Sequence, residues 1–308
     1  MTVRSLSAAS PDTCDPDSVQ YALARWNRDR LAPGVGAGGS AADWANDLRR
    51  EHMMRFLEAD MVEGLRARVA GRAAQAPTDP DGFVAWFEDL NGSGPGQGDP
   101  LFPWLARDAT LDQMKWFLTQ EAAGEAGFDD MVALTQVKLT GRAKLELARN
   151  YWDEMGRGSA GGMHGPMLDR TVEALDLHPT IEGTVAESLT LANVMTGLAT
   201  HRRYAYHAVG ALGVVELTAP GRVAQVSEGL KRLGAPPAAR KYFALHAVLD
   251  VEHSRAWNEE ALKPIVAETP QAARWIAEGA LMRLTCGLAC FETYRQHLWS
   301  AERLLAAE

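Results

Sequence analysis

From Leu111 to Leu305 apolar residues recur at intervals of three and four, and nowhere in the chain do apolar and polar residues alternate up to a hairpin turn. That pattern confines the chain to an all-α fold. Helices are expected over Leu111–Lys138, Arg142–Met155, Gly165–Leu175, Ile181–Leu217, Pro220–Leu233, Ala238–Val266 and Pro270–Leu305. Breaks are expected at Gly141, the Gly156–Gly162 run, Leu177–Pro179, Thr218–Pro220, Gly234–Pro237 and Thr269–Pro270, with Pro264 near a helix end or a kink. Upstream, helical spacing marks Val19–Arg30, Ala42–Ala70 and the short stretch Asp81–Leu90. The loop Asn91–Gly98 has too many glycines and too little regular spacing for a phosphate cradle and reads as a surface connection. Residues 1–17 carry Ser, Pro, Asp and Thr without apolar period and are expected to be a disordered leader. The expected organisation is that leader, a helical extension over 18–105, and a core over 106–308 on which the extension packs.

A net charge of −9 with no basic patch excludes a nucleic-acid surface, and no stretch approaches the roughly 20 apolar residues a bilayer span needs. Without a signal-like N-terminus, a cytoplasmic protein is expected. Cys14, Cys286 and Cys290 are too few for a disulfide framework; the last two share a helix face and read as small core hydrophobes.

Chemistry concentrates in Ala244–His253. His246, Asp250 and His253 lie four and three residues apart, within an arc of roughly 60° and about 10 Å of helix axis. Two imidazoles at that spacing can reach two ions from opposite ends while Asp250, midway, touches both. The flanking Leu245, Val248, Leu249 and Val251 imply a largely buried helix, where such groups are unfavourable unless paired or metal-bound.

An α-helical two-metal site needs matching ligands from other helices. Glu154 ends one expected helix, and His164 follows a glycine-rich break that allows side chains ten residues apart to converge; a straight helix would hold them about 15 Å apart. Glu216 stands alone in the apolar run Gly210–Leu217, where a single carboxylate needs a partner. Each has a plainer alternative. Glu154 could pair with Arg149 or Arg157, Asp153 could be the relevant carboxylate, and His164 or Glu216 could face solvent. Glu121, Glu125, Asp129 and Asp130 are reserve ligands. His52, His178, His201, His207 and His297 lack carboxylates at useful spacing, although His201 beside Arg202 and Arg203 suggests a surface or substrate contact.

Taken in order, Asn150-Tyr-Trp-Asp-Glu154, Gly-Arg-Gly158, His164, Glu216 and His246-x3-Asp250-x2-His253 resemble the haem-oxygenase-like di-iron oxidases and oxygenases, the iron-containing redox enzymes, over roughly Leu111–Leu298. The resemblance implies a haem-oxygenase-like helical bundle over 106–308 with additional N-terminal helices. It implies two Fe(II)/Fe(III) ions, with O2 as co-substrate, held by Glu154, His164, Glu216, His246, Asp250 and His253. Glu154 and His164 would bind one iron, and Glu216 would complete the second site or bridge. The implied reaction is O2-dependent desaturation, C–C cleavage or related C–H oxidation of a small molecule through a peroxo di-ferric intermediate, and an amino-acid-like substrate is favoured. The region before Glu154 reads Gly127-Phe-Asp-Asp130, so an extra carboxylate ligand, and with it N-oxygenation, is less expected. A fatty-acid-modifying di-iron enzyme, a metal-free oxidase of the same fold and a non-enzymatic helical binding protein are the competing readings. A small-molecule substrate is the expected partner, an external electron donor and a homodimer are compatible with it, and neither nucleic acid nor membrane is expected. Arg202, Arg203, Lys241 and Arg255 are candidates for a substrate-carboxylate clamp, and Tyr204, Tyr206, Tyr242 and Phe243 for pocket walls or core.

Overall fold

A computed structural model describes residues 16–33, 41–125 and 127–305, and no strand occurs among them. The helices are α1 (Pro16–Leu31), α2 (Ala41–Ala73), α3 (Pro80–Ser93), α4 (Leu101–Arg107), α5 (Leu111–Gly124), α6 (Phe128–Thr135), α7 (Gly141–Glu154), α8 (His164–Ala174), α9 (Ala186–Thr200), α10 (Ala205–Arg232), α11 (Pro237–Ala256), α12 (Lys263–Glu268) and α13 (Ala272–Leu305). Of the expected leader, residues 1–15, including Cys14, lie outside the described residues, and Pro16 and Asp17 open α1. The helices form an all-α bundle, the class that the helical spacing implies. Among the described residues no helix is long and apolar enough to cross a membrane.

Helix α10 is the central strut, packed on α11 and α13 and, at its ends, on α4 and α9. Its contact with α13 is backbone to backbone: a Cβ at Gly210 would collide with the carbonyl of Ile276, and one at Gly279 with the carbonyl of His207. Only glycine allows that approach. The long N-terminal helix α2 lies against α9 and α13, and α1 against α9. Cys286 and Cys290 are buried free thiols in α13, as their apolar spacing implies.

Three helix boundaries differ from expectation. The stretch Leu111–Lys138 is two helices, because Gly127 adopts φ 73° between them. The stretch Ile181–Leu217 breaks where His201 is extended and its Nδ1 accepts from the Arg203 amide, a stop without Gly or Pro. The break expected at Thr218–Pro220 is absent, since α10 runs through Pro220. Proline removes the amide that would reach the carbonyl four residues back, which here belongs to Glu216. Packing on both sides carries the helix through, and Thr218 Oγ1 donates to the Val214 carbonyl at 2.7 Å. Before Pro264 the chain forms a π-helical turn, Trp257–Leu262, which links α11 to α12.

Candidate metal centre

Glu154 is the last residue of α7 and His164 the first of α8. The loop between them folds back on itself, pinned by an antiparallel bridge between Met155 and Met163. Gly156, at φ 58°, lies so close to Gly162 that any Cβ would strike its backbone. This pinch brings two side chains ten residues apart together, with His164 Nδ1 2.7 Å from Glu154 Oε2. Glu216 enters from the middle of α10, and His246, Asp250 and His253 from one face of α11. All six are buried, none more than 8% exposed. The reason differs from the one expected for α11. Val248 and Val251 are 69% and 49% exposed; the buried face is the one carrying Phe243, His246, Asp250 and His253 toward α10 and α8.

Two three-residue groups have ligand atoms within 4.8 Å of one another: Glu154 with His164 and His246, and Glu154 with Glu216 and His253. Glu154 belongs to both and so has the position of a shared carboxylate. Asp250 is buried against the same cluster but outside both compact groups.

The imidazoles are oriented for coordination. His253 Nε2 lies 3.1 Å from Asp153 Oδ2, and that carboxylate is held by Arg157 at 2.6 Å. His246 Nδ1 lies 2.7 Å from the Tyr242 carbonyl. With His253 Nε2 and His246 Nδ1 engaged there, His253 Nδ1 and His246 Nε2 are the nitrogens a metal ion would take once bound. His164 Nδ1 and His253 Nδ1 are buried without a hydrogen-bond partner, although each faces a carboxylate, at 2.7 Å from Glu154 and 3.5 Å from Glu216. Buried polar atoms left unsatisfied beside carboxylates fit a donor set meant for a cation. Asn150, one turn before Glu154, donates to Glu216 Oε1 at 2.7 Å and aims that carboxylate.

Electrostatics agree with the geometry. Burial, with the Glu216 carboxylate beside it, pushes the Glu154 carboxyl up to about 9, and burial, with Glu216 and Glu154 nearby, drives Asp250 well above the usual carboxylate range. Burial pushes His246 down to about 4. Burial also opposes charge on His253, but the Glu216 and Asp153 carboxylates outweigh it and raise it to about 9. A metal ion among these groups would favour the charged forms of Glu154 and Asp250 and displace the proton that His253 otherwise keeps.

Other candidates fall elsewhere. Glu121 accepts from Tyr294 Oη at 2.9 Å, and Glu125 accepts from the Phe128 amide at 3.0 Å, capping α6. Neither they nor Asp129 and Asp130 enter the compact groups. The expected clamp is not formed: Arg202 donates to the carbonyls of Leu134 and Thr135, Arg203 pairs with Glu63 at 3.1 Å, and Lys241 and Arg255 are exposed. His207 does have a carboxylate partner, Glu278, at 3.0 Å and seventy-one residues away, a pairing that spacing along one helix cannot reveal.

A cavity of about 140 Å³ reaches two neighbours of the cluster, Val215 beside Glu216 and Tyr242 beside His246, and is lined by none of the six residues themselves. Its walls are mainly apolar, among them Phe117, Val215 and Phe243, and it also takes in Tyr242, whose ring centroid is 4.2 Å from that of His246. The arginines that line it are Arg222 and Arg283, which sequence reasoning passed over because neither belongs to a ligand motif. Tyr204 bonds Glu63 and Tyr206 stacks on Trp275 instead.

Over residues 115–288 the sequence matches the family described as iron-containing redox enzyme. No curated protein matches the chain. Among solved structures it is similar to a CADD-like protein of unknown function from Nostoc punctiforme, at 16% identity and TM-score 0.50 over 77% of this chain and 98% of that one. A second structure of a CADD-like protein from the same organism gives 18% identity and TM-score 0.49 over 78% and 97%. At this identity the first likeness speaks to the fold. The family match spans more than half of the chain and takes in Glu154, His164, Glu216, His246, Asp250 and His253: the chain belongs to the iron-containing redox enzymes.

Proposed function

We propose that this chain is a non-haem di-iron, O2-dependent oxidase or oxygenase acting on a small amino-acid-like molecule. The observation that carries the reading is Glu154, a single buried carboxylate common to two three-ligand groups, which is how one side chain serves two ions a few ångströms apart. In this reading Glu154, His164, Glu216, His246, Asp250 and His253 are the ligands, residues 106–308 form the metal-binding core, and 18–105 is an extension on it. Two ferrous ions, when bound, supply the electrons that let O2 oxidise a C–H bond. The chain's own residues do the rest. Asp153 and the Tyr242 carbonyl keep His253 and His246 in the tautomers that point lone pairs inward, Asn150 aims Glu216, and the apolar cavity excludes water beside the reacting carbon. The cavity's 140 Å³ resembles the roughly 150 Å³ that accommodates benzene, which favours a small substrate over a long acyl chain.

The test is anaerobic reconstitution with Fe(II), a count of bound iron, and exposure to O2 under Mössbauer and optical observation, with His246→Ala and Glu216→Ala as controls. About two irons per chain and a coupled di-ferric product, lost in both variants, is the expected result. No stoichiometric iron under any condition would instead support a metal-free oxidase of the same fold.

A further inference from the structure

The far end of the cavity holds opposite charges that do not meet. Arg222, Arg283 and Glu121 all line it and lie close enough to influence one another electrostatically, yet among the described residues no ion pair within 4.0 Å joins Glu121 to either arginine. Arg222 is fixed in place: it donates to Thr218 Oγ1 at 3.1 Å and sits over the rings of Phe102 and Phe291 at 5.8 and 5.6 Å. Arg283 makes no hydrogen bond to any described residue. One oxygen of Glu121 takes the Tyr294 hydroxyl, itself 2.7 Å from Ser188 Oγ, which leaves the other open to the cavity. Burial and the nearby Arg283 push Arg222 down to about 9, and burial pushes Glu121 above the usual carboxylate range, so both charged forms are disfavoured until a ligand meets them. Charged groups held apart inside an apolar cavity are unfavourable unless a ligand completes them.

We propose that Arg222 and Arg283 bind the carboxylate, and Glu121 the ammonium, of a small α-amino acid with an aliphatic side chain. The assignment deepens the functional reading above and rests on it. Val215, Ala219 and Arg222 line the cavity from one face of α10, with Arg222 about 10 Å along the helix axis from Val215, the residue that precedes Glu216. A head group held at Arg222 therefore leaves its side chain room toward Val215 and Tyr242, the latter with its ring centroid 4.2 Å from that of His246. Guanidinium pairs suit a carboxylate, which they engage through parallel donors.

Isothermal titration of the full chain, metal-free and anaerobically loaded with Fe(II), tests this with L-valine, L-leucine and L-isoleucine. 4-Methylpentanoate, which lacks the ammonium, 3-methylbutylamine, which lacks the carboxylate, and dodecanoate are the comparison ligands. At least one of the three amino acids is expected to bind at least roughly tenfold more tightly than every comparison ligand, and Arg283→Gln and Glu121→Gln to lose roughly tenfold or more each. Both variants are checked by circular dichroism and iron content, and Arg283→Lys, which keeps the charge, should recover part of the loss. Equal or tighter binding of the deaminated acid, the amine or dodecanoate would overturn the proposal, as would unchanged affinity in folded Arg283→Gln or binding of no amino acid. Two bound irons without amino-acid binding would sink this assignment and leave the di-iron reading standing. Amino-acid binding without iron would do the reverse.

Discussion

In the proposed metal centre, Asp153 stands one side chain behind a candidate ligand. It meets His253 Nε2 at 3.1 Å and is braced by Arg157 at 2.6 Å and Arg149 at 3.5 Å, so the imidazole it holds has one tautomer and one direction. Asp153→Asn is expected to weaken Fe(II) binding roughly 10- to 100-fold while leaving the fold intact, as read by anaerobic titration beside a thermal melt. An unchanged affinity would mean that Asp153 serves only its arginines. Glu154→Gln keeps the side chain's shape and removes the carboxylate common to both groups. Iron per chain should fall from about two to less than one, with far-ultraviolet circular dichroism unchanged.

The contact between α10 and α13 is the least adaptable part of the bundle. Gly210→Ala puts a methyl group into the Ile276 carbonyl, which can move only with its helix, and is expected to destabilise the chain by about 1–3 kcal/mol in denaturant unfolding. Beside it lies a buried polar network: His207 faces Glu278 at 3.0 Å, and Arg66 and Arg274 reach the same carboxylate at 2.6 and 3.1 Å. Burial lowers the His207 pKa below 6.5, although Glu278 opposes it. Burial would raise Glu278, but hydrogen bonds from Arg66, Arg274 and His207 prevail and hold it below the usual range. Both shifts have one sign: each group binds more protons unfolded than folded, so the stability it contributes is present above its unfolded value and lost on acidification. Thermal melts should therefore fall as pH drops below about 6.5, and His207→Gln, which keeps a donor for Glu278, should flatten the first part of that slope. Glu278→Ala leaves buried His207 without its partner and Arg66 with Glu63 alone, and is expected to cost about 1–3 kcal/mol.

At the scale of the molecule, the centre joins α7, α8, α10 and α11, so whatever binds there ties four helices together. Metal that binds only the folded chain should stabilise it by about 2.7 kcal/mol at a free concentration a hundredfold above Kd, a gain that chelation reverses and calorimetry measures. Absence of any metal-dependent shift would show that the cluster holds no ion. The sequence by itself determined the helical class and the local geometry of the ligands: four- and three-residue steps align His246, Asp250 and His253 on one face, and the Gly156–Gly162 break lets Glu154 meet His164. These are properties of neighbours along the chain. The stop at His201 and the passage through Pro220 were not legible, because a side-chain cap and packing on both sides outweighed the Gly and Pro signals. Only the tertiary structure decided that Asp153 serves His253, that Glu278 serves His207, that Glu154 is the carboxylate common to both groups, and that Arg222 and Arg283, not Arg202 and Arg203, face the cavity. Each of those depends on which helix faces meet, and that is set by the shape and burial of surfaces far apart in the chain rather than by the spacing of residues within it.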